Sequence, residues 1–480
     1  VIKKLFSDSL IYAIGPQLPK LVGIFLLPII TRYLTADDYA IWGLATAYVA
    51  ALSGLRDLGF TQVLVNFFFR YTANEKRWKI VWRQLMGILS IWGIFYGIIL
   101  AIVLYLTLHN KVGDNIWSLL FYIVIPAVFF DIISLYGQRF YQFSSKPIPI
   151  AISSICSGII SISVNYIAVV HWHVQYMSFF MALFAASLFN ALYFFRPVIL
   201  QQKLLPIFKI RIRRLMPHLK VGLPTIPHTY SAYLLNTSDR VILDIYKQPL
   251  HLIGQYNFAY NFGNYAELVG NAIGMAVSPF YTRSYSLRTE DGERQVKIFT
   301  FLLQAIFLLG TVLIAIWCRE ILNALSSNAE LAATYPFVII IIMSYTYRPM
   351  YWVPVSRLGF EEKTNHLWKI SFIGGLINVV LNMILIPFWG IYAVVVSTFI
   401  GLMYIGFSGF YLKAFKKLNS QKYYPMAWLG LILISTVGVM WIRDFSVIGK
   451  LSITFGLALL SVFVLWKNRK WIYMLKEMEL

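Results

Sequence analysis

Charge is what this 480-residue chain has little of: 13% of its residues are Asp, Glu, Lys or Arg, while 59% are hydrophobic. The mean hydropathy is +0.69. So little charge cannot keep a chain of this size in water, which excludes the soluble globular classes and leaves a polytopic membrane protein. Cysteine is scarcer still. Its two copies, Cys156 and Cys318, lie far apart in different apolar runs, which excludes a disulfide framework. His171 and His173 are two ligands where a metal needs more, so no metal site is expected. The sequence also lacks HExxH, GxSxG and Walker-type glycine patterns, so it reads as a non-enzyme without a cofactor. With no nucleotide domain in the chain, energy has to come from H+, Na+ or the membrane potential.

What is present is a succession of long apolar runs. At about 20 residues per span, they predict an all-α polytopic membrane protein of about fourteen transmembrane helices. The runs lie near residues 10–30, 39–66, 84–107, 117–138, 148–170, 176–195, 219–238, 252–281, 296–317, 334–356, 367–386, 389–411, 425–442 and 447–466. The first is too long, and lacks the small-residue cleavage pattern, for a removable signal peptide, so it is expected to stay as a span.

A net charge of +21 invites a nucleic-acid reading, and the placement of the cations answers it. Loops on one side hold 31 of the 41 Lys and Arg residues, against seven on the other: Arg32, Lys111, Arg240, Lys247, Arg319, Arg443 and Lys450. Lys20, Arg56 and Arg348 fall inside spans. This is the positive-inside bias; it places both termini in the cytoplasm and makes anionic lipid, not nucleic acid, the partner of the excess charge.

The basic, amphipathic stretch 196–220 divides the chain and is expected to lie on the inner leaflet. Pro16, Pro19 and Arg32 are spaced by 3 and 13 residues, and Pro224, Pro227 and Arg240 repeat that spacing at an offset of 208. The implied organisation is an N-lobe (1–195, spans 1–6), a linker (196–220), a C-lobe (221–412, spans 7–12) and an added pair, spans 13 and 14 with the tail (413–480). Both lobes enter the membrane from the same side, as in parallel-repeat transporters. The four prolines, which remove backbone hydrogen bonds inside a membrane, are hinge candidates.

Intramembrane charge marks function, because each such group costs roughly 2.5–3.5 kcal/mol at the bilayer centre. Lys20, Arg56 and Arg240 are the candidate cationic site for a phosphate group, since the guanidinium fork matches phosphate oxygens. Asp57 stands beside Arg56 and is expected to neutralise it in part. Along residues 252–281, Asn257, Asn261, Asn264, Glu267 and Asn271 share a helical face with Tyr260 beside them, a carboxamide stripe suited to sugar hydroxyls. Asn236, His228, Asn378 and Asn382 extend that wall. Asp57, Glu267 and Asp131 are the ion-coupling candidates. Arg348 is expected to snorkel.

The stretch "LPKLVGIFLLPIITRYLTADDYAIWGL" (Leu18 to Leu44), "DLG" at Asp57 to Gly59 and "NTSDRVIL" at Asn236 to Leu243 resembles the bacterial polysaccharide-repeat-unit flippases, Wzx type, of the superfamily shared with multidrug/toxin extruders and lipid II flippases. Ala40 departs from the glycine common at that place. The resemblance implies a V-shaped pair of six-helix lobes working by alternating access in the bacterial cytoplasmic (inner) membrane. They would flip polyprenyl-pyrophosphate-linked oligosaccharide for O-antigen, capsule or exopolysaccharide assembly, beside a polymerase and glycosyltransferases of the same pathway. Lys20 and Arg56 occupy places comparable to the cavity arginines of lipid II flippases, and spans 13 and 14 correspond to helices that form a groove for the lipid tail. Two alternatives stand beside it: an ion-coupled extruder of amphipathic cations, whose binding wall should be acidic, and a membrane glycan polymerase or ligase, which usually displays a large outer loop.

Overall fold

The computed structural model describes residues 18–71, 75–209, 212–223, 226–363 and 366–467. Pro16 and Pro224, and the side chains of Lys20, Pro227 and His228, lie outside the described residues. Every regular element among the described residues is helical. The chain forms two compact units, one running to Tyr233 and including Pro249–Gly254, the other Leu234–Gln248 with the chain from Gln255 onward.

The first unit holds α1 (Leu18–Ile30), α2 (Ala36–Arg56), α3 (Phe60–Arg70), α4 (Glu75–Val112), α5 (Ile116–Ile125), α6 (Asp131–Phe143), α7 (Pro147–Val170), α8 (Met177–Phe195) and α9 (Ile212–Gly222). α10 (Ile226–Asn236) spans the division between the units. A capping box starts α2: Thr35 Oγ1 accepts from the Asp38 amide, and Asp38 Oδ2 accepts from the Thr35 amide at 2.7 Å. The other Asp38 oxygen accepts from the Tyr176 amide at 3.1 Å, tying α2 to the start of α8.

The run 39–66 is two helices, not one. Leu58 and Gly59 adopt φ of 50° and 69°, two successive left-handed residues that end α2 and restart the chain as α3. Asp57 holds this corner, its oxygens accepting from the Gly59 amide (3.1 Å) and the Thr61 hydroxyl (3.0 Å). Gly222 packs so close to the corner's backbone that a methyl there would strike the Leu58 carbonyl. α5 runs into α6 through a π-turn, Pro126–Phe130. Beneath α3 and α4 lies an aromatic core of Phe60, Trp78, Trp82, Tyr136 and Phe194. Its polar tips are satisfied: Trp82 Nε1 donates to the Leu64 carbonyl and the Tyr136 hydroxyl to the Trp82 carbonyl, both at 3.2 Å.

The linker is built into this unit. Residues 202–209 lie along α4, with the Ile207 amide donating to the Arg83 carbonyl (2.9 Å) and Arg83 Nε to the Leu205 carbonyl (2.8 Å), and α9 then packs on α3. Pro19 is buried against Gly158 of α7.

The second unit holds α11 (Ser238–Ile245), most of α12 (Leu250–Ser286), α13 (Glu290–Ile316), α14 (Cys318–Leu325), α15 (Tyr335–Ser344), α16 (Arg348–Phe360), α17 (Leu367–Trp389), α18 (Ile391–Ser408), α19 (Pro425–Ile442) and α20 (Val447–Lys467). α17 and α18 form a hairpin whose Gly374 and Gly401 let the two backbones approach. α19 packs on α13 and α15. α20 is fixed at its start by Lys450, which donates to both Glu320 oxygens at 2.8 and 2.9 Å, and by Trp317 Nε1 donating to Thr454.

Large apolar side chains such as Phe25, Leu106, Ile434 and Trp441 stand exposed on helix after helix, as a lipid-facing surface requires. Seven helical runs among the described residues are long and apolar enough to cross a membrane. One of them, Lys76–Phe143, is 68 residues long and takes in two of the expected spans. Of the remaining expected spans, 39–66 and 334–356 are interrupted by turns, 252–281 carries its carboxamides and Glu267, 447–466 yields the shorter apolar stretch Val447–Phe463, and 10–30 and 219–238 lie only partly within the described residues.

Candidate functional site

In the first unit the site is built around the end of α2. Two side chains grip this end: Trp92 Nε1 donates to the Leu55 carbonyl at 2.7 Å, supplying a partner to one of the carbonyls a helix end leaves open, and the Tyr230 hydroxyl donates to the Ala51 carbonyl at 2.6 Å. Arg56, so placed, reaches the first residue of α6, with Nη2 2.5 Å from Asp131 Oδ2. Their side chains are 39% and 24% exposed. Ser187 on α8 and Tyr96 of α4 lie close to the pair. The counter-ion of Arg56 is therefore Asp131 rather than its sequence neighbour Asp57, which is spent on the α2–α3 corner.

In the second unit six of the expected wall and cation residues come together, around a residue the sequence reading passed over. Asp239 is fully buried and accepts from the Tyr256 hydroxyl (2.5 Å), Asn382 Nδ2 (2.8 Å) and the Thr398 hydroxyl (3.2 Å). The Asn378 side-chain amide is within hydrogen-bonding distance of Asp239 Oδ1 (2.8 Å), Asn382 Nδ2 (3.1 Å) and the Thr398 hydroxyl (3.1 Å), and the Ser397 hydroxyl donates to Asn382 Oδ1. Next to it Arg240, also buried, donates through Nε to Asn257 Oδ1 (3.0 Å) and through Nη1 to the Asn236 carbonyl (2.5 Å), with its guanidinium 4.4 Å from the Tyr260 ring centroid. Tyr260 closes the circle by donating to Asn236 Oδ1 at 3.2 Å. This is a packed network of mutually bonded groups, and Arg240 is occupied within it. Arg32, the partner of Arg240 in the sequence repeat, is by contrast exposed.

Further along α12 the surroundings change. Asn264 and Asn271 are exposed and Asn261 and Glu267 partly so. Arg348 does not snorkel: it folds onto α12 at Gly270, where a methyl would come within 3.0 Å of its Cδ. There it donates to Asn271 Oδ1 (2.5 Å), pairs with Glu267 (3.2 Å) and lies between Tyr345 and Tyr347. Its side chain is 9% exposed and that of Glu267 32%.

Among the described residues no group of three or more His, Cys, Asp or Glu could hold a metal ion. The arrangement offers instead an open arginine–carboxylate pair in one unit and an oxygen-rich buried carboxylate in the other.

Comparison with known proteins places this geometry. No curated protein matches the chain in sequence. Among solved structures, a mutant of the Vibrio cholerae MATE transporter VcmN superposes with a TM-score of 0.54 at 15% identity, covering 88% of this chain and 98% of that one. An inward-facing multidrug resistance MATE family transporter of the MOP superfamily gives 0.61 at 12% identity, covering 85% and 96%. The lipid II flippase MurJ in an inward closed conformation gives 0.54 at 14% identity, covering 97% and 98%. Identities this low speak for the fold alone, a multi-pass membrane transporter fold. The sequence model of one family, described as polysaccharide biosynthesis protein, matches residues 5–285, more than half of the chain, and the chain belongs to that family.

Proposed function

We propose that the chain is a flippase that moves polyprenyl-pyrophosphate-linked oligosaccharide repeat units from the inner to the outer leaflet of the bacterial cytoplasmic membrane, for surface polysaccharide assembly. The observation that carries this reading is Arg56, a guanidinium in an apolar helical unit, held by one carboxylate and open over two-fifths of its side chain. Pyrophosphate crossing a bilayer needs a fixed cation, and the arginine fork binds two of its oxygens at once. Lys20 adds a second cation in this proposal. The exposed carboxamides of Asn264 and Asn271 offer donors and acceptors to sugar hydroxyls, while Arg240 serves the buried network. Membership of a polysaccharide biosynthesis family supports a glycan cargo over a drug.

The driving ion, in the same proposal, binds at Asp239. One carboxylate, two carboxamides and two hydroxyls within hydrogen-bonding reach of one another form a hard-oxygen donor set of single negative charge, which fits a monovalent cation such as Na+.

The test is complementation of a flippase-deficient strain: Arg56→Ala should abolish glycan export at unchanged protein level. Normal export by that variant would remove the anion site from the mechanism. Drug resistance conferred on a pump-deficient host, with no glycan export, would favour the multidrug-extruder alternative.

A further inference from the structure

The Arg56–Asp131 pair differs from the other cations paired between helices among the described residues. Arg348, Arg357 and Lys450 are shut in, their side chains 9%, 11% and 0% exposed, whereas Arg56 is 39% exposed and Asp131 24%. Both members also sit where regular helix stops. Arg56 is the last residue of α2, before the left-handed corner at Leu58 and Gly59. Asp131 directly follows the π-turn Pro126–Phe130, a local widening of the helix of the kind that recurs at functional sites. The pair is open at its surface, and each partner stands at an interruption of regular helix.

Building on the reading of Arg56 as the diphosphate site, we propose that Asp131 is a removable counter-ion: an entering diphosphate displaces it from Arg56, and the freed carboxylate takes up one proton. In this exchange the Arg56–Asp131 ion pair breaks, Arg56 N–H groups donate to phosphate oxygens, and an O–H bond forms on Asp131 with a proton drawn from water. The anion thus loads together with a proton. Among the described residues, Tyr96 from α4 faces the pair, with Tyr230 from α10 beside Tyr96 and the Ser187 hydroxyl from α8 near Asp131; Arg139, further along α6, is bonded to Gln142 instead. Once Arg56 turns to phosphate, Asp131 has the Ser187 hydroxyl nearby but no cation among the described side chains. A three-quarters buried carboxylate beside a bound anion is then far cheaper to hold neutral.

Calorimetric titration of the purified protein with farnesyl diphosphate at pH 7, in buffers of differing ionisation enthalpy, reads the proton count. The wild type should take up about one proton per anion bound. Phosphate binding to an arginine releases protons if anything, because the second phosphate pKa is about 6, so uptake cannot come from the ligand. Asp131→Asn should bind about fivefold more tightly, with no carboxylate to displace, and lose the uptake; Asp114→Asn, at an exposed carboxylate just after α4, should keep both affinity and uptake. No uptake in the wild type overturns the inference whether or not the variant folds, as does uptake that persists in Asp131→Asn. Binding that Arg56→Ala leaves intact overturns the diphosphate site itself and this inference with it. Binding lost in Arg56→Ala, with no proton taken up by the wild type, leaves the flippase reading standing and removes only the counter-ion exchange.

Discussion

Asp239→Asn separates the structural from the ionic work of the second unit's network. The carboxylate accepts from Tyr256, Asn382 and Thr398 and makes no ion pair among the described residues at salt-bridge distance. Asparagine keeps the shape but replaces one acceptor oxygen by an NH2 group, so at least one of the three donors faces another donor. A buried donor without its acceptor costs about 1–3 kcal/mol. That is a fraction of the roughly 5–15 kcal/mol by which folded domains are held, and the variant should fold.

The ionic effect is larger. The donor set loses its single formal negative charge, and neutral oxygens alone hold Na+ poorly. For the wild type, Na+ at about a hundred times its dissociation constant should stabilise the folded state by about 2.7 kcal/mol, read as a rise in unfolding temperature over choline at equal ionic strength. In Asp239→Asn the basal transition should fall modestly and the Na+-dependent rise should vanish. A variant that still responds to Na+, or a wild type that never does, refutes the assignment.

Two further substitutions test the packing. Glu320→Ala strands the ammonium of Lys450, whose side chain is 0% exposed; breaking a buried pair from one side costs about 3–5 kcal/mol, so thermal unfolding should come markedly earlier, and Glu320→Leu with Lys450→Met should recover most of the loss. Gly254→Ala places a methyl against the Ala36 carbonyl, a backbone atom at the start of α2 that cannot move aside; a loss of about 1–3 kcal/mol or more is expected, seen as reduced yield and an earlier unfolding transition.

Hydropathy made the helices legible, because a lipid-facing helix must be apolar along its length. Partners across helices were not legible. Arg56 has Asp57 beside it in sequence, yet its charge partner comes from α6, and no local pattern announces a contact that distant. The break at Leu58–Gly59 was written in "DLG", but a run of apolar residues on either side hid it. Periodicity placed the α12 asparagines on one face correctly as geometry, but a helix of 37 residues passes through different surroundings. Asn257 is buried in the Asp239–Arg240 network while Asn264 and Asn271 stand exposed. Asp239 stands in "NTSDRVIL" just past the end of the run 219–238, and its partners Asn382 and Thr398 come from helices more than 140 residues away, so no local pattern marks it.

The two units share a brace and differ in its polarity. In the first, an arginine at the end of α2 pairs with an acid at the start of α6; in the second, an acid within α12 pairs with an arginine at the start of α16. In the span order expected from the sequence these are the second and fourth spans of each lobe, so what recurs is one ion pair tying two helices, not the residues that tie them. A brace is indifferent to which helix carries the cation, since the Coulomb energy is the same either way. Exposure is not indifferent. The first unit opens its arginine, 39% against 24% for the acid, and the second opens its acid, 32% against 9% for the arginine. A phosphate is therefore attracted to the open member of one pair and repelled by the open member of the other. In the proposed exchange, then, the first brace is the one whose open arginine a substrate anion could take from its carboxylate, while the second keeps its arginine shut against α12.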